Sequence, residues 1–416
     1  MAVLLVATAG PVHAEPELRW GGGVQTDTHL RVEEVGDGPF YGPAPLETGV
    51  ARNEGRLKLK LSALGDRYTG VADIDFVWLG VTRDLESLGD LGLREKTDPY
   101  RLETHALYID APDVFGEGID LRVGFQKVLW GVADQFNPTN NLNPEDLEDP
   151  LLFGDQQANF MVKLDWTETY GDASEFTFTA VVIPVFKPAL LPGSAILGLA
   201  QTDRLPFVDA GWNQVIASQQ ALAGIASLGI SVTEVRPDIP EPSFENVQAA
   251  AAISTNIGEH DVALSYYVGR HDLPLVSRQD TIARGGDKVC NPADETECLW
   301  LLDTEITLSY PRMQVIGLNV AGELDLLGWM GDGIHPLGYR LEAGLFLPEG
   351  QRLRLFNDFS KMPEGVREKA EMLLPSGEYG YDVVEGSGGQ PPEVLTDQPF
   401  AKWTVGLDYS LGEHVY

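Results

Sequence analysis

Basic residues are scarce. The 416-residue chain carries 29 Lys plus Arg against 63 Asp plus Glu, a formal charge of −34. This excludes a nucleic-acid binder working through a basic face, because neutralising phosphates needs an excess of Lys and Arg. It also argues against a polybasic membrane-surface protein. Long hydrophobic runs are missing too. No stretch approaches the ~18–20 consecutive apolar residues of a spanning helix, so a helical inner-membrane protein is excluded. Cysteine is limited to Cys290 and Cys298, in the run KVCNPADETECLW. Two isolated thiols make a poor zinc site. Pro292, Asp294 and Glu295 mark a polar loop, and in an exported chain a local disulfide is expected to clamp it. The histidines (His13, His29, His105, His260, His271, His335, His414) are scattered, and none sits in a nucleophile motif. An enzyme is not expected on these residues, nor a metal or other cofactor.

What is present begins with MAVLLVATAGPVHA at Met1–Ala14. Its short apolar core and the small-x-small ending Val12-His13-Ala14 read as the back half of a secretory signal without its basic start. Export of so acidic a chain points to the periplasm, the outer membrane or the outside.

The strongest pattern is period two. Arg56-Leu57-Lys58-Leu59-Lys60-Leu61-Ser62 alternates without a fault, and Asp73–Trp78, Ile119–Gln126, Asp303–Tyr310, Tyr339–Leu345 and Trp403–Tyr409 repeat it. Alternation means a strand with one greasy and one wet face. In a soluble sandwich the greasy face fills a core; in an outer-membrane barrel it meets lipid while the polar face lines the lumen. Three features favour the barrel. The alternating runs fit the ~9–11 residues a tilted strand needs to cross a bilayer. Aromatics (Trp166, Tyr310, Trp403, Tyr409) are placed as a girdle would need them. Connections alternate between tight turns (Leu64–Arg67, Pro112–Gly118, Thr167–Ser174, Asn256–Asp261, Tyr310–Arg312, Pro348–Gln351, Ser410–Glu413) and long segments near 34–53, 81–100, 130–155, 186–243, 271–298, 324–336 and 361–398. The expected fold is all-β: a transmembrane antiparallel up-and-down barrel over residues 15–416. About fourteen strands can be read and a fifteenth begins at His414, so the even-number rule suggests about sixteen in the full protein, with the last one or two missing here.

Turning the polar alternates inward places Arg56, Lys58 and Lys60 beside Asp73 and Asp75. It adds Glu103, His105, Asp120, Arg122, Lys163 and Asp165, then Asp303, Glu305, Arg340, Glu342, Arg352, Arg354 and Asp358. Interleaved signs can pair across the wall or set a transverse field in a solute channel. Such charges would be prohibitive in a dry core. Two long segments could narrow the bore. Trp130–Phe153 carries Asp134, Asn137, Asn140, Asn141, Asn143, Glu145 and Asp146, with turn-forming Asn137-Pro138 and Asn143-Pro144. It is expected to be a folded-in constriction loop, its spacing not matching the known calcium loop. Lys187–Pro242 is apolar and partly helical by pattern (Asn213–Ala226), and is expected to pack as a plug or at the mouth.

The run Arg122-Val123-Gly124-Phe125-Gln126-Lys127-Val128-Leu129-Trp130-Gly131-Val132-Ala133-Asp134, followed by Asn137-Pro138 and Pro144-Glu145-Asp146, resembles a family of uncharacterised proteobacterial outer-membrane barrels. Its members share a G-x-Q-x-x-x-W-G element and are distantly similar to alginate-export-type and general porins. The resemblance implies an outer-membrane barrel with no settled substrate; this chain departs in lacking a carboxy-terminal closing segment. The expectation is a porin-like channel of a Gram-negative outer membrane, passing small polar or charged solutes and contacting outer-membrane lipid and lipopolysaccharide. The alternative is a transporter of fatty-acid or hydrocarbon type using residues 187–242.

Overall fold

In the computed structural model the described residues are 16–31, 49–65, 67–79, 100–133, 136–147, 154–170, 174–191, 230–291, 294–324, 336–373, 376–379 and 393–409. The chain divides into two compact units, Met1–Val128 with Gln157–Val182 and Leu129–Gln156 with Ile183–Tyr416.

The first unit is a meander of seven strands: β1 (Glu17–Arg31), β2 (Gly49–Leu64), β3 (Thr69–Leu79), β4 (Tyr100–Ala111), β5 (Ile119–Gln126), β6 (Asn159–Tyr170) and β7 (Ser174–Ile183). Each pairs antiparallel with the next. Short links at 65–68, 112–118 and 171–173 alternate with long ones at 32–48, 80–99 and 127–158. The turn at 112–118 shows how local chemistry sets one of these hairpins. Asp113 adopts φ 52°, Gly118 adopts φ 76°, and the Asp113 carboxylate accepts the Gly118 N–H at 2.6 Å. Asp tolerates the left-handed region and bridges its own turn.

The second unit contains β8 (Ile230–Pro237), β9 (Gln248–Ile257), β10 (His260–Arg270), β11 (Leu275–Asn291), β12 (Asp294–Ser309), β13 (Arg312–Leu324), β14 (Leu337–Pro348), β15 (Gln351–Arg352), β16 (Arg354–Asp358), α1 (Glu364–Leu373), β17 (Gly377–Tyr379), β18 (Glu393–Leu395) and β19 (Phe400–Asp408). Strands β9, β10, β13, β14 and β19 form a second antiparallel meander. The others stand apart from it. Strands β17, β16, β11, β12 and β8 form a five-stranded sheet in that order, and β15 pairs with β18. The five-stranded sheet is assembled from the links 184–247, 271–311 and 349–399, all of which leave the meander at the end marked by Arg270, Arg312 and Pro348.

In both meanders the burial alternation is opposite to that of a soluble sheet. In β2 Leu57, Leu59 and Leu61 are exposed, Leu59 by 49%, while Glu54 beside them is 3% exposed. In β13 Ile316 and Leu318 are exposed while Gly317 and Asn319 are buried. Trp403, Val405 and Leu407 line one exposed face of β19. Rows of apolar residues cross the first unit on that face: Trp20, Leu61, Ala72, Leu107, Phe125 and Phe160 are successive register partners.

Several sequence expectations are corrected. The all-β, antiparallel up-and-down order is as expected; among the described residues the two meanders hold twelve strands, two fewer than the fourteen or so read from the sequence. Asp303–Tyr310 and the residues from Gln351 on are strands, as their alternation says, but they belong to the smaller sheets. Period two reports a strand and not the sheet it joins. The tight links at Tyr310–Arg312 and Pro348–Gln351 therefore connect sheets and are not hairpin turns. Residues 324–336 join β13 to β14 at the end where β9 turns into β10, among the short links. Tyr310 is buried against Phe186, ring centroids 4.9 Å apart, and Trp403 lies mid-strand, so neither is a strand-end aromatic on the exposed face. Residues 1–15 and 192–229, with the signal-like start and most of the plug segment, lie outside the described residues.

Candidate functional site

The first unit carries the expected wall of charge. Arg56 on β2 is its hub, pairing with Glu54 and with Glu103 of β4 and lying 3.6 Å from Asp75 of β3. Arg101 also pairs with Glu103, and His105 Nε2 sits 3.2 Å from Asp75 Oδ2. Lys60 meets Asp73 at 2.9 Å, as the register Lys60↔Asp73 dictates, and Lys58 stands opposite Asp75. Asp75, Glu103 and His105 bring ligand atoms within 4.8 Å of one another, and Arg56 already supplies positive charge there. Farther along, Arg122 pairs with Asp110 at 3.1 Å and stacks 4.5 Å above the Tyr108 ring. Lys163 pairs with Asp165, which also accepts from Thr179 at 2.7 Å. Asp120 departs from the expectation. It is exposed and accepts the Asp113 N–H at 3.1 Å, serving the turn and not the wall.

The second unit holds a more specific construction. Although it connects β5 to β6, the segment Leu129–Gln156 groups with this unit. Its anchor is Glu342 of β14, fully buried. Glu342 Oε2 accepts the backbone N–H groups of Val132 (2.9 Å) and Ala133 (3.1 Å). Glu342 Oε1 accepts the Thr139 N–H (2.8 Å) and the Thr139 hydroxyl (2.9 Å). That hydroxyl also lies 3.2 Å from Asn319 Oδ1; having one proton, it donates to one acceptor at a time, and Glu342 Oε1 is the nearer. Three amides and a hydroxyl stand in for the water a buried carboxylate has lost.

The floor beneath is made of small residues. Ser265, Gly317 and Gly344 are successive register partners on β10, β13 and β14. A Cβ on Gly317 would fall 2.6 Å from Thr139 Cγ2, and one on Gly344 would fall 3.2 Å from the Pro138 carbonyl. Asn319, Glu342 and Thr404 form the adjacent row, and Thr404 Oγ1 donates to the Phe136 carbonyl at 2.9 Å. Gly131 completes the fit. It adopts φ 113°, and a Cβ there would stand 2.5 Å from Glu342 Oε2. The loop lies on the face of the meander opposite Leu264, Leu318 and Trp403, because facing residues of adjacent strands share a side.

The far end of the loop is tied down separately. Asp272 Oδ2 accepts the Glu145 N–H at 2.9 Å, and Asp146 bridges in parallel to Leu190. Desolvation at this contact pushes the Glu145 carboxyl above its ordinary value; the Asp272 carboxylate adds to the rise and Lys402 opposes it.

Of the residues expected in a constriction loop, Asn137, Asn140, Asp146 and Trp130 all belong to this docked segment. Asn140 accepts the Trp130 N–H at 3.4 Å; Asp134 lies outside the described residues. Arg340 pairs with Asp408 at 2.9 Å on the same face as Glu342. Asp303 and Glu305 instead pair with Arg284 and Arg236 within the five-stranded sheet, and Arg352 and Arg354 lie on β15 and β16. Cys290 and Cys298 are backbone register partners across β11 and β12, near the hairpin tip. Sequence reasoning missed the role of Glu342 as a latch and those of Asn319, Thr404, Gly317 and Gly344 as its surroundings. The run of small residues on an otherwise bulky alternation was the available signal.

No family model matches the chain, and none of the curated proteins does. Among solved structures, a mutant ferric enterobactin receptor from Pseudomonas aeruginosa aligns over 96% of this chain and 60% of its own length, at 10% identity and a TM-score of 0.30. So remote a likeness carries no functional argument.

Proposed function

We propose that the chain is an outer-membrane β-barrel channel for passive diffusion of small polar or charged solutes. In this reading the faces bearing Leu59, Leu318 and Trp403 meet acyl chains, and those bearing Arg56, Asp75 and Glu342 meet an aqueous lumen. The observation that carries the proposal is the inverted burial: leucines exposed, carboxylates enclosed, in long antiparallel strands. Fully burying one Leu stabilises by roughly 1.5–3 kcal/mol, so a face of exposed leucines this wide points to an apolar solvent. The docked 129–147 segment supports a channel more than a structural barrel, since it lies on the polar face, where it would narrow the passage. Purified full chain added to planar bilayers is expected to give stepwise ohmic conductance; a folded, inserted protein without conductance would overturn the channel.

A further inference from the structure

Ion pairs that stop short of forming mark a small cavity at the end of the second meander. The cavity, about 260 Å³, is lined by Asp238, Arg270 and Glu349, with Asn246, Ser309 and Gln351 among them. Arg270 donates only to neutral oxygens, through Nη1 to the Tyr310 carbonyl (2.7 Å) and through Nη2 to Asn246 Oδ1 (2.6 Å). Asp238 and Glu349 both lie within electrostatic reach of it. Yet among the described residues neither carboxylate has a cation within 4.0 Å, and neither side chain accepts a hydrogen bond. The neutral side chains between them are already engaged. Asn246 donates to the Glu241 carbonyl (2.9 Å), Ser309 to Gln351 Oε1 (3.2 Å) and Gln351 to the Arg352 carbonyl (3.1 Å).

Chemistry, charge and spacing narrow the occupant. The free groups are two acceptors beside a guanidinium with unused N–H groups, so a ligand must both donate and accept. The lining sets one cation against two anions, and Arg312, outside the lining but within electrostatic reach, offsets the second. A charged ligand of either sign would meet a like charge and gain nothing from the balanced surroundings. Two hydrogen bonds meeting at one oxygen span roughly 4–5.5 Å. One hydroxyl can therefore bridge a guanidinium and a carboxylate that stand just out of contact. Water fills such gaps, and a sugar presents the same groups on a fixed ring. The volume lies below the roughly 300–1,000 Å³ of drug-sized pockets, which limits the occupant to a single ring. Pro240 and Pro311 in the lining offer apolar surface to its C–H face.

We propose that the cavity binds one neutral sugar residue, its hydroxyls donating to Asp238 and Glu349 and accepting from Arg270. The links 184–247, 271–311 and 349–399 leave the meander at this end. On the membrane reading above, that end faces outward, where dissolved sugars and the saccharide of lipopolysaccharide both occur. The location rests on that reading; the binding does not. The test titrates D-glucose, D-galactose and D-mannose into the purified full chain in detergent, followed by saturation-transfer NMR. Saturable binding of at least one hexose is expected, with a Kd of about 1–10 mM. Asp238→Asn/Glu349→Gln keeps both side-chain sizes and should weaken it at least about tenfold. An unchanged thermal unfolding midpoint shows that this variant folds. Glycine and tetramethylammonium, a zwitterion and a cation, should not compete. Added lipopolysaccharide separates the two sources: displacement of the hexose assigns the site to sugar on the outer leaflet, and no displacement assigns it to dissolved sugar. Absence of hexose binding, binding untouched by the double variant, or displacement by glycine or tetramethylammonium would overturn the proposal. A chain that binds hexose in detergent yet gives no conductance would sink the channel reading alone.

Discussion

Glu342 is fully buried, and the loop brings it the donors that water would otherwise supply. Its four donors all belong to residues 132–139, so side chain and loop are stable only together. Glu342→Gln keeps the size but turns an NH₂ toward amides that need an acceptor, and losing charge-assisted bonds of this kind costs about 3 kcal/mol. The expected outcome is a larger single-channel conductance and new proteolytic cleavage within 131–140. Gly131→Ala should do the same by a different route, since its Cβ has no room beside the carboxylate. Unchanged conductance in both variants would mean the loop does not limit the passage. The folded-in loop and the polar face of β14 were legible from the sequence, but their pairing was not: Thr139 and Glu342 are 203 positions apart. Glu342 reads locally as one more polar alternate of β14, indistinguishable from Arg340.

Strands were legible where alternation is clean, and their partners less so. The faultless run in β2 gave its two faces correctly because period-two chemistry is written into the strand itself. The equally clean run at Asp303–Tyr310 misled, because β12 pairs in parallel with β8 and antiparallel with β11, outside the meander. Which sheet receives a strand depends on long-range pairing that the pattern does not encode. An outward arginine tests the faces: Leu318→Arg on β13 should destabilise folding into lipid vesicles by about 2–4 kcal/mol, measured by denaturant titration, whereas Gln314→Arg at the strand end should cost far less. Equal costs would contradict a lipid-facing β13. The loop as an element has its own pH dependence. The Glu145 carboxyl is raised in the docked state, so its protonated form favours docking. The contribution is complete below the ordinary carboxylate pKa and is lost as pH rises through the raised value. Open-state noise should therefore fall between pH 7 and pH 4, and Glu145→Gln should remove that dependence; noise that rises on acidification would reverse the assignment.

At the scale of the molecule, chemistry is sorted by face: in each meander one face is exposed and apolar and the other carries the charged side chains. The polar-face charges of the first unit are close to balanced, with Arg56, Lys60, Arg122 and Lys163 each meeting carboxylates. The net charge of −34 thus need not describe the passage. Selectivity is expected to come from width at the latched loop and from paired wall charges, giving weak preference between small cations and anions in reversal-potential measurements. The most direct test of the sorting itself is a fluorophore placed in turn at positions 57 to 61 of β2 in vesicle-inserted protein, with quenching by acyl-chain-brominated lipid against quenching by aqueous iodide. Lipid quenching at 57, 59 and 61 with iodide quenching at 58 and 60 is the predicted result. Iodide access at the leucine positions, or protection of all five from both quenchers, would contradict it.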